Sequence, residues 1–83
     1  MTLKDILEVT FQKTKATIIV TFPYGSGKSQ YRIHEKPMLK KALLESKKVK
    51  PFLDHEVHFI NTSLVQDART DMYFPQLDVF IWG

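Results

Sequence analysis

The segment Tyr24-Gly25-Ser26-Gly27-Lys28-Ser29 ends as a phosphate-binding loop ends. Such a loop holds phosphate on the amides of a glycine-rich turn and needs a helix directly after its Ser. The glycine that the pattern requires five residues before Gly27 is Phe22, and Gln30-Tyr31-Arg32-Ile33 alternates as a strand does. No partner Asp for magnesium follows on a suitable strand. The segment therefore reads as a hairpin turn.

A second cluster, Asp54-His55-Glu56-Val57-His58, places two imidazoles and two carboxylates within five positions. The helical metalloprotease pattern spaces its histidines at i and i+4 so that both reach one ion. Here they stand at i and i+3, and on a strand those positions point to opposite faces. The cluster reads as a solvated strand entrance, with His34 remote from it. With no cysteine in the chain, thiol catalysis, disulfides and thiolate zinc sites are excluded. None of the acids is spaced as a general acid–base pair. No serine stands in a pattern that marks a nucleophile. The expectation is a protein without catalysis, cofactor, metal or small-molecule substrate.

Two features remain that could bind. Residues 1–53 carry 11 basic side chains against four acids (+7), and residues 54–83 carry Arg69 against five acids (−4), giving the net +3. Within the basic part, Lys36, Lys40, Lys41, Lys47 and Lys48 fall on one side of a helical wheel. With Lys28 and Arg32 they form a candidate nucleic-acid surface. Arg, the residue suited to bidentate phosphate contacts, occurs once among those 11, which weakens that reading. The plainer account is a solvated helix face. The other feature is aromatic. Tyr73 and Phe74 precede a closing strand on which Phe80 and Trp82 share the face opposite Leu77, Val79 and Ile81. An open Phe80/Trp82 face, flanked by Asp67, Asp71 and Asp78, would suit a protein partner or a homodimer seam, or would stack single-stranded bases; a plain core is the alternative.

The elements that must position these groups fit one domain over residues 1–83. Thr2 and Asp5 form a capping box ahead of Leu3, Ile6, Leu7 and Phe11, which keep helical spacing; this favours a helix from Leu3 to about Thr10. Leu7, Val9 and Phe11 also alternate as a strand would. Ala16–Phe22 is β-branched almost throughout and pairs as a hairpin with Ser29–His34. Pro37 opens a helix whose apolar side is Met38, Leu39, Ala42, Leu43, Ser46 and Val49, and Pro51 stops it near Lys48. Val57–Thr62 and Gln76–Trp82 are strands. The order α-β-β-α-β-β predicts a two-layer α+β domain, its sheet mostly antiparallel with the helices on one face. The longest apolar runs, Ile18–Val20 and Val79–Trp82, are far too short to span a membrane, and a cytoplasmic location is the default.

The succession of the helix Leu3-Lys4-Asp5-Ile6-Leu7-Glu8, the strand Thr17–Phe22, the segment Phe52-Leu53-Asp54-His55-Glu56-Val57 and a short final strand resembles small proteins encoded by phages, prophages and plasmids of Gram-positive bacteria. The resemblance implies a mobile-element setting with host machinery as the target, and no chemistry. The expectation is an accessory protein that binds a protein partner, inhibiting or modulating it; the alternative is a nucleic-acid binder using the Lys-rich face.

Overall fold

The computed structural model describes residues 1–24, 27–66, 68–70 and 72–83, with side chains described at all of these except 23, 24, 27, 28 and 74. It is a small α+β domain with a mixed sheet of five strands and two helices. Gly25 and Ser26, expected in the turn of the first hairpin, lie outside the described residues, as do Asp67 and Asp71.

Helix α1 runs over Leu3–Val9 and begins as its capping box dictates. The Thr2 hydroxyl accepts from the Asp5 amide at 3.3 Å, and the Asp5 carboxylate accepts from the Thr2 amide at 3.0 Å. These bonds, the Thr2 amide first, hold the Asp5 carboxyl below its ordinary range. Seven residues cannot sustain a helix in water alone, so burial of Leu3, Ile6 and Leu7 holds it. The helix ends at Val9, two residues short of Phe11, leaving Phe11 exposed instead of on the buried stripe. Val9 is exposed too, which removes the strand alternative.

Strand β1 (Lys15–Tyr24) lies inside the sheet. On one edge it pairs antiparallel with β2 (Gly27–Arg32) and then with the two-residue β3 (Met38–Leu39). On its other edge it pairs in parallel with β5 (Tyr73–Trp82), from Lys15 opposite Gln76 to Thr21 opposite Trp82. The ten-residue β4 (Val57–Gln66) pairs antiparallel with β5 and forms the outer edge. The pair at the centre of the sheet is therefore parallel, which turn chemistry between sequential strands could not announce.

The second helix departs most from expectation. Helix α2 spans only Lys40–Glu45, with Met38 and Leu39 extended as β3. The reason lies in β1: its residues Lys15 and Ala16 extend beyond β2, and Met38 and Leu39 fill that open edge. The helix stops at Ser46, whose hydroxyl is 2.8 Å from His34 Nε2. Lys47, Lys48 and Val49 lie in the turn beyond it, and a short 3-10 turn covers Lys50–Phe52. The wheel that gathered Met38 to Val49 does not exist as a helix. Of its apolar members Leu43 and Val49 are buried, whereas Leu39 is exposed.

Leu3, Ile6 and Leu7 of α1, Leu43 of α2 and Val49 form one buried cluster with Ala16, Ile18 and Val20 of β1 and Val79 and Ile81 of β5. The strand residues are alternate positions on each strand, and the register sets Ile18 beside Val79 and Val20 beside Ile81, so they share one face of the sheet. Among the described residues no helix is long and apolar enough to cross a membrane.

Candidate interaction face

The residues of opposite parity make the other face. On β1 these are Thr17, Ile19 and Thr21; the register sets Asp78, Phe80 and Trp82 of β5 beside them, and Arg32 and Gln30 of β2 on the far side. On β4, Phe59 stands opposite Phe80 and Asn61 opposite Asp78. A register shift between Val57 and Phe59 is a β-bulge that turns His58 toward this face as well. All of these side chains come from strands.

They form a built cluster. The His58 ring stacks on Trp82 with centroids 4.0 Å apart and planes 24° from parallel, and it meets Phe80 edge-on at 6.1 Å. Phe59 and Phe80 are tilted against each other at 5.5 Å. Beneath them, the buried Thr21 hydroxyl accepts from Gln30 Nε2 at 3.3 Å and lies 3.2 Å from His58 Nε2. Trp82 is also fixed through its backbone. Its amide donates to the Glu56 carbonyl at 3.0 Å, and its carbonyl accepts from His55 Nδ1 at 2.7 Å. Phe59 remains 55% exposed and Trp82 36%, so the cluster ends in an apolar surface open to solvent.

The predicted aromatic set is thus brought together in part. Phe80 and Trp82 share the open face as alternation required. Tyr73 has the parity of the buried face but lies beyond β1, exposed and apart from them. The Phe74 side chain lies outside the described residues. Asp78 joins the aromatic face; Asp67 and Asp71, expected to flank it, are outside the described residues. Sequence reasoning missed Phe59, and weighed His58 only as a member of the Asp54–His58 cluster. Their signal was available, since a strand opening Val-His-Phe beside one ending Phe-Ile-Trp sets aromatics opposite one another.

The basic set is dispersed. Arg32 has the parity of the aromatic face, across the sheet from α2. Lys40 donates to the Glu8 carbonyl at 3.3 Å, Lys41 is exposed on α2, and Lys47 and Lys48 are exposed in the turn after it. The Lys28 side chain is outside the described residues. Lys36 lies instead with Lys13, Lys15 and Arg69 along a groove of about 700 Å³ at the end of the sheet.

The polar clusters singled out for chemistry are engaged otherwise. Lys28 and Ser29 continue a strand paired with β1, so the helix that a phosphate-binding loop needs directly after its Ser is replaced by strand. In the Asp54–His58 segment, His55 faces the Trp82 carbonyl, His58 faces Thr21, and Glu56 accepts from the N-terminal ammonium at 3.0 Å. The two imidazoles thus address different partners. Among the described residues no three His, Asp or Glu groups gather as a metal site would require. His34 and Ser46 touch, but no described carboxylate orients the imidazole, and the bond pins the β2–β3 connection to the end of α2.

Compared with protein-family models, curated proteins and solved structures, the chain matches none.

Proposed function

We propose that this chain is a small non-enzymatic accessory protein that binds a protein partner through the strand face formed by Phe59, Phe80, Trp82 and His58. In this reading the helices cover one face of a two-layer domain and leave the other for the partner. The observation that carries it is the packed aromatic cluster, built from strands alone and still open at Phe59 and Trp82. Exposed aromatics held rigid by their neighbours are what interface hot spots consist of, because little side-chain entropy is lost on binding. The one described carboxylate on this face, Asp78 beside Thr17 and Asn61, disfavours a phosphate backbone running over the rings. The mobile-element setting suggested by the resemblance belongs to this proposal, with a protein of the host as the partner inhibited or modulated.

A second reading, binding of nucleic acid, has one observation in its favour: the groove that gathers Lys13, Lys15, Lys36 and Arg69. Capture of partners from a bacterial host lysate at low and high salt separates the two. Protein capture that survives salt and is lost in Phe59→Ala and Trp82→Ala supports the aromatic face. Nucleic acid that leaves as salt rises, and is lost in a Lys13→Gln/Lys15→Gln/Lys36→Gln variant, supports the groove and overturns the first reading.

A further inference from the structure

The two edges of the sheet are treated very differently. The β2 edge is short, carries Lys28, Gln30 and Arg32, and is interrupted before β3. These are the devices that keep an edge from pairing with another chain. The β4 edge has none of them along Phe59–Val65. Those seven residues contain no charge and no proline, and both faces carry exposed apolar side chains: Phe59 and Val65 on one, Ile60 and Leu64 on the other. The N-terminal residues cover only the start of this edge, where the Val57 amide donates to the Met1 carbonyl at 2.9 Å and Leu3 donates to the His55 carbonyl. Among the described residues nothing but β5 pairs with Phe59–Val65.

The sequence of that edge is symmetric in polarity about Thr62. Asn61 and Ser63 flank it, then Ile60 and Leu64, then Phe59 and Val65, then His58 and Gln66. We infer that β4 pairs antiparallel with β4 of a second copy, with Thr62 on the two-fold axis. This register sets Ile60 against Leu64 and Thr62 against Thr62 on the helix-bearing face, and Phe59 against Val65 and Asn61 against Ser63 on the aromatic face. Every directly opposed pair is apolar with apolar or polar with polar, on the same face, as an antiparallel ladder requires. A shift by one residue in the sum of paired positions would oppose side chains of opposite faces. A strand without charge also meets its own copy without like-charge repulsion. The two five-stranded sheets become one continuous sheet across about 24 Å of paired edge, and the two aromatic faces lie on the same side.

This inference rests on the edge of β4 and shares only Phe59 with the aromatic-face reading, using neither Phe80 nor Trp82. The absence of native cysteine gives a direct test. In the proposed register two residues at position 62 face each other with Cα atoms roughly 4.5–5.5 Å apart, inside the range a disulfide spans. Thr62→Cys should therefore cross-link as a dimer under mild oxidation far faster than Ala42→Cys, which is exposed on α2. In sedimentation, Thr62→Lys and Thr62→Glu should each weaken self-association about fivefold, by placing like charges face to face. An equal mixture of the two should restore it. A chain that is monomeric at the highest concentration it tolerates, with both cysteine variants cross-linking equally, overturns the inference. So does a dimer lost in Trp82→Ala but untouched in Thr62→Lys, which would move the seam to the aromatic face.

Discussion

The hydroxyl of Thr21 is the polar support beneath the aromatic cluster, and its neighbour Thr17 provides the control. Both are buried on β1, two turns of the pleat apart on the same face. Thr21 receives Gln30 Nε2 and sits within hydrogen-bond reach of His58 Nε2, whereas Thr17 has no side-chain partner among the described residues. Thr→Val keeps shape and removes only the hydroxyl. At Thr21 this should forfeit two bonds of about 0.5–1.5 kcal/mol each, so the expected loss is about 2 kcal/mol. In a domain of this size that corresponds to a midpoint lower by roughly 8–16 °C. At Thr17 the same change should stay within about 0.5 kcal/mol of the parent, or stabilise slightly. Unfolding in urea, followed by fluorescence of the single Trp82, reads both variants on one scale. The Thr21→Val native baseline should also shift, since His58 stacks directly on the indole and loses one of its fixings. Equal stability of Thr17→Val and Thr21→Val, with unchanged native fluorescence, would refute the claim that the hydroxyl organises the face.

Leu43 is the one buried residue of the six-residue α2, and Leu43→Ala should cost about 3–5 kcal/mol; amide exchange should show α2 opening before α1. Thr2→Ala should cost about 1 kcal/mol through loss of the N-cap, measured as a lower denaturant midpoint. Because Asp5 has its carboxyl pKa lowered in the folded state, its contribution is present above the ordinary value of 3.8 and is lost as pH falls through the lower folded value. Asp5→Asn should flatten the acid limb of a stability–pH curve there. Gly83→Ala should cost about 1 kcal/mol, since a Cβ would enter the Phe22 ring, which stacks on Tyr31 at 5.8 Å; the loss should shrink in a Tyr31→Ala background that lets Phe22 move.

What could be read in the residues was local. The capping box of Thr2 and Asp5, the β-branched run before Phe22 and the alternation of Leu77 to Trp82 each specify an element without help from the rest of the chain. Even the split of β5 into an apolar face and an aromatic face was legible. Where the chain depends on distant pairing, reading failed. Met38 and Leu39 have helical neighbours and helical spacing, yet the open edge of β1 draws them into a strand. Val49 is buried as a wheel would have it, but from a turn. β4 continues through Ser63-Leu64-Val65 to Gln66, and β5 starts at Tyr73, because each supplies the other's partner; neither segment declares this alone. The lysines followed the helix that was expected for them, so they dispersed when it shortened.

The parallel pairing of β1 with β5 joins residues 61 positions apart. It also sets the order in which the molecule can assemble. The hairpins β1–β2 and β4–β5 can close quickly from nearby residues, but a two-stranded ribbon alone is marginal in water. Ile18, Val20, Val79 and Ile81 are sequestered only when the two ribbons meet along their inner edges. That meeting requires closure of the long loop before its contacts are made, so folding should run in the slow, millisecond-to-second regime of non-local sheets. Until it does, the inner side of β1 is itself an open edge lined by Ile18-Ile19-Val20. The half-assembled chain is thus more prone to wrong partners than the finished one, and its yield in cells should depend on concentration and temperature more than its final stability would suggest.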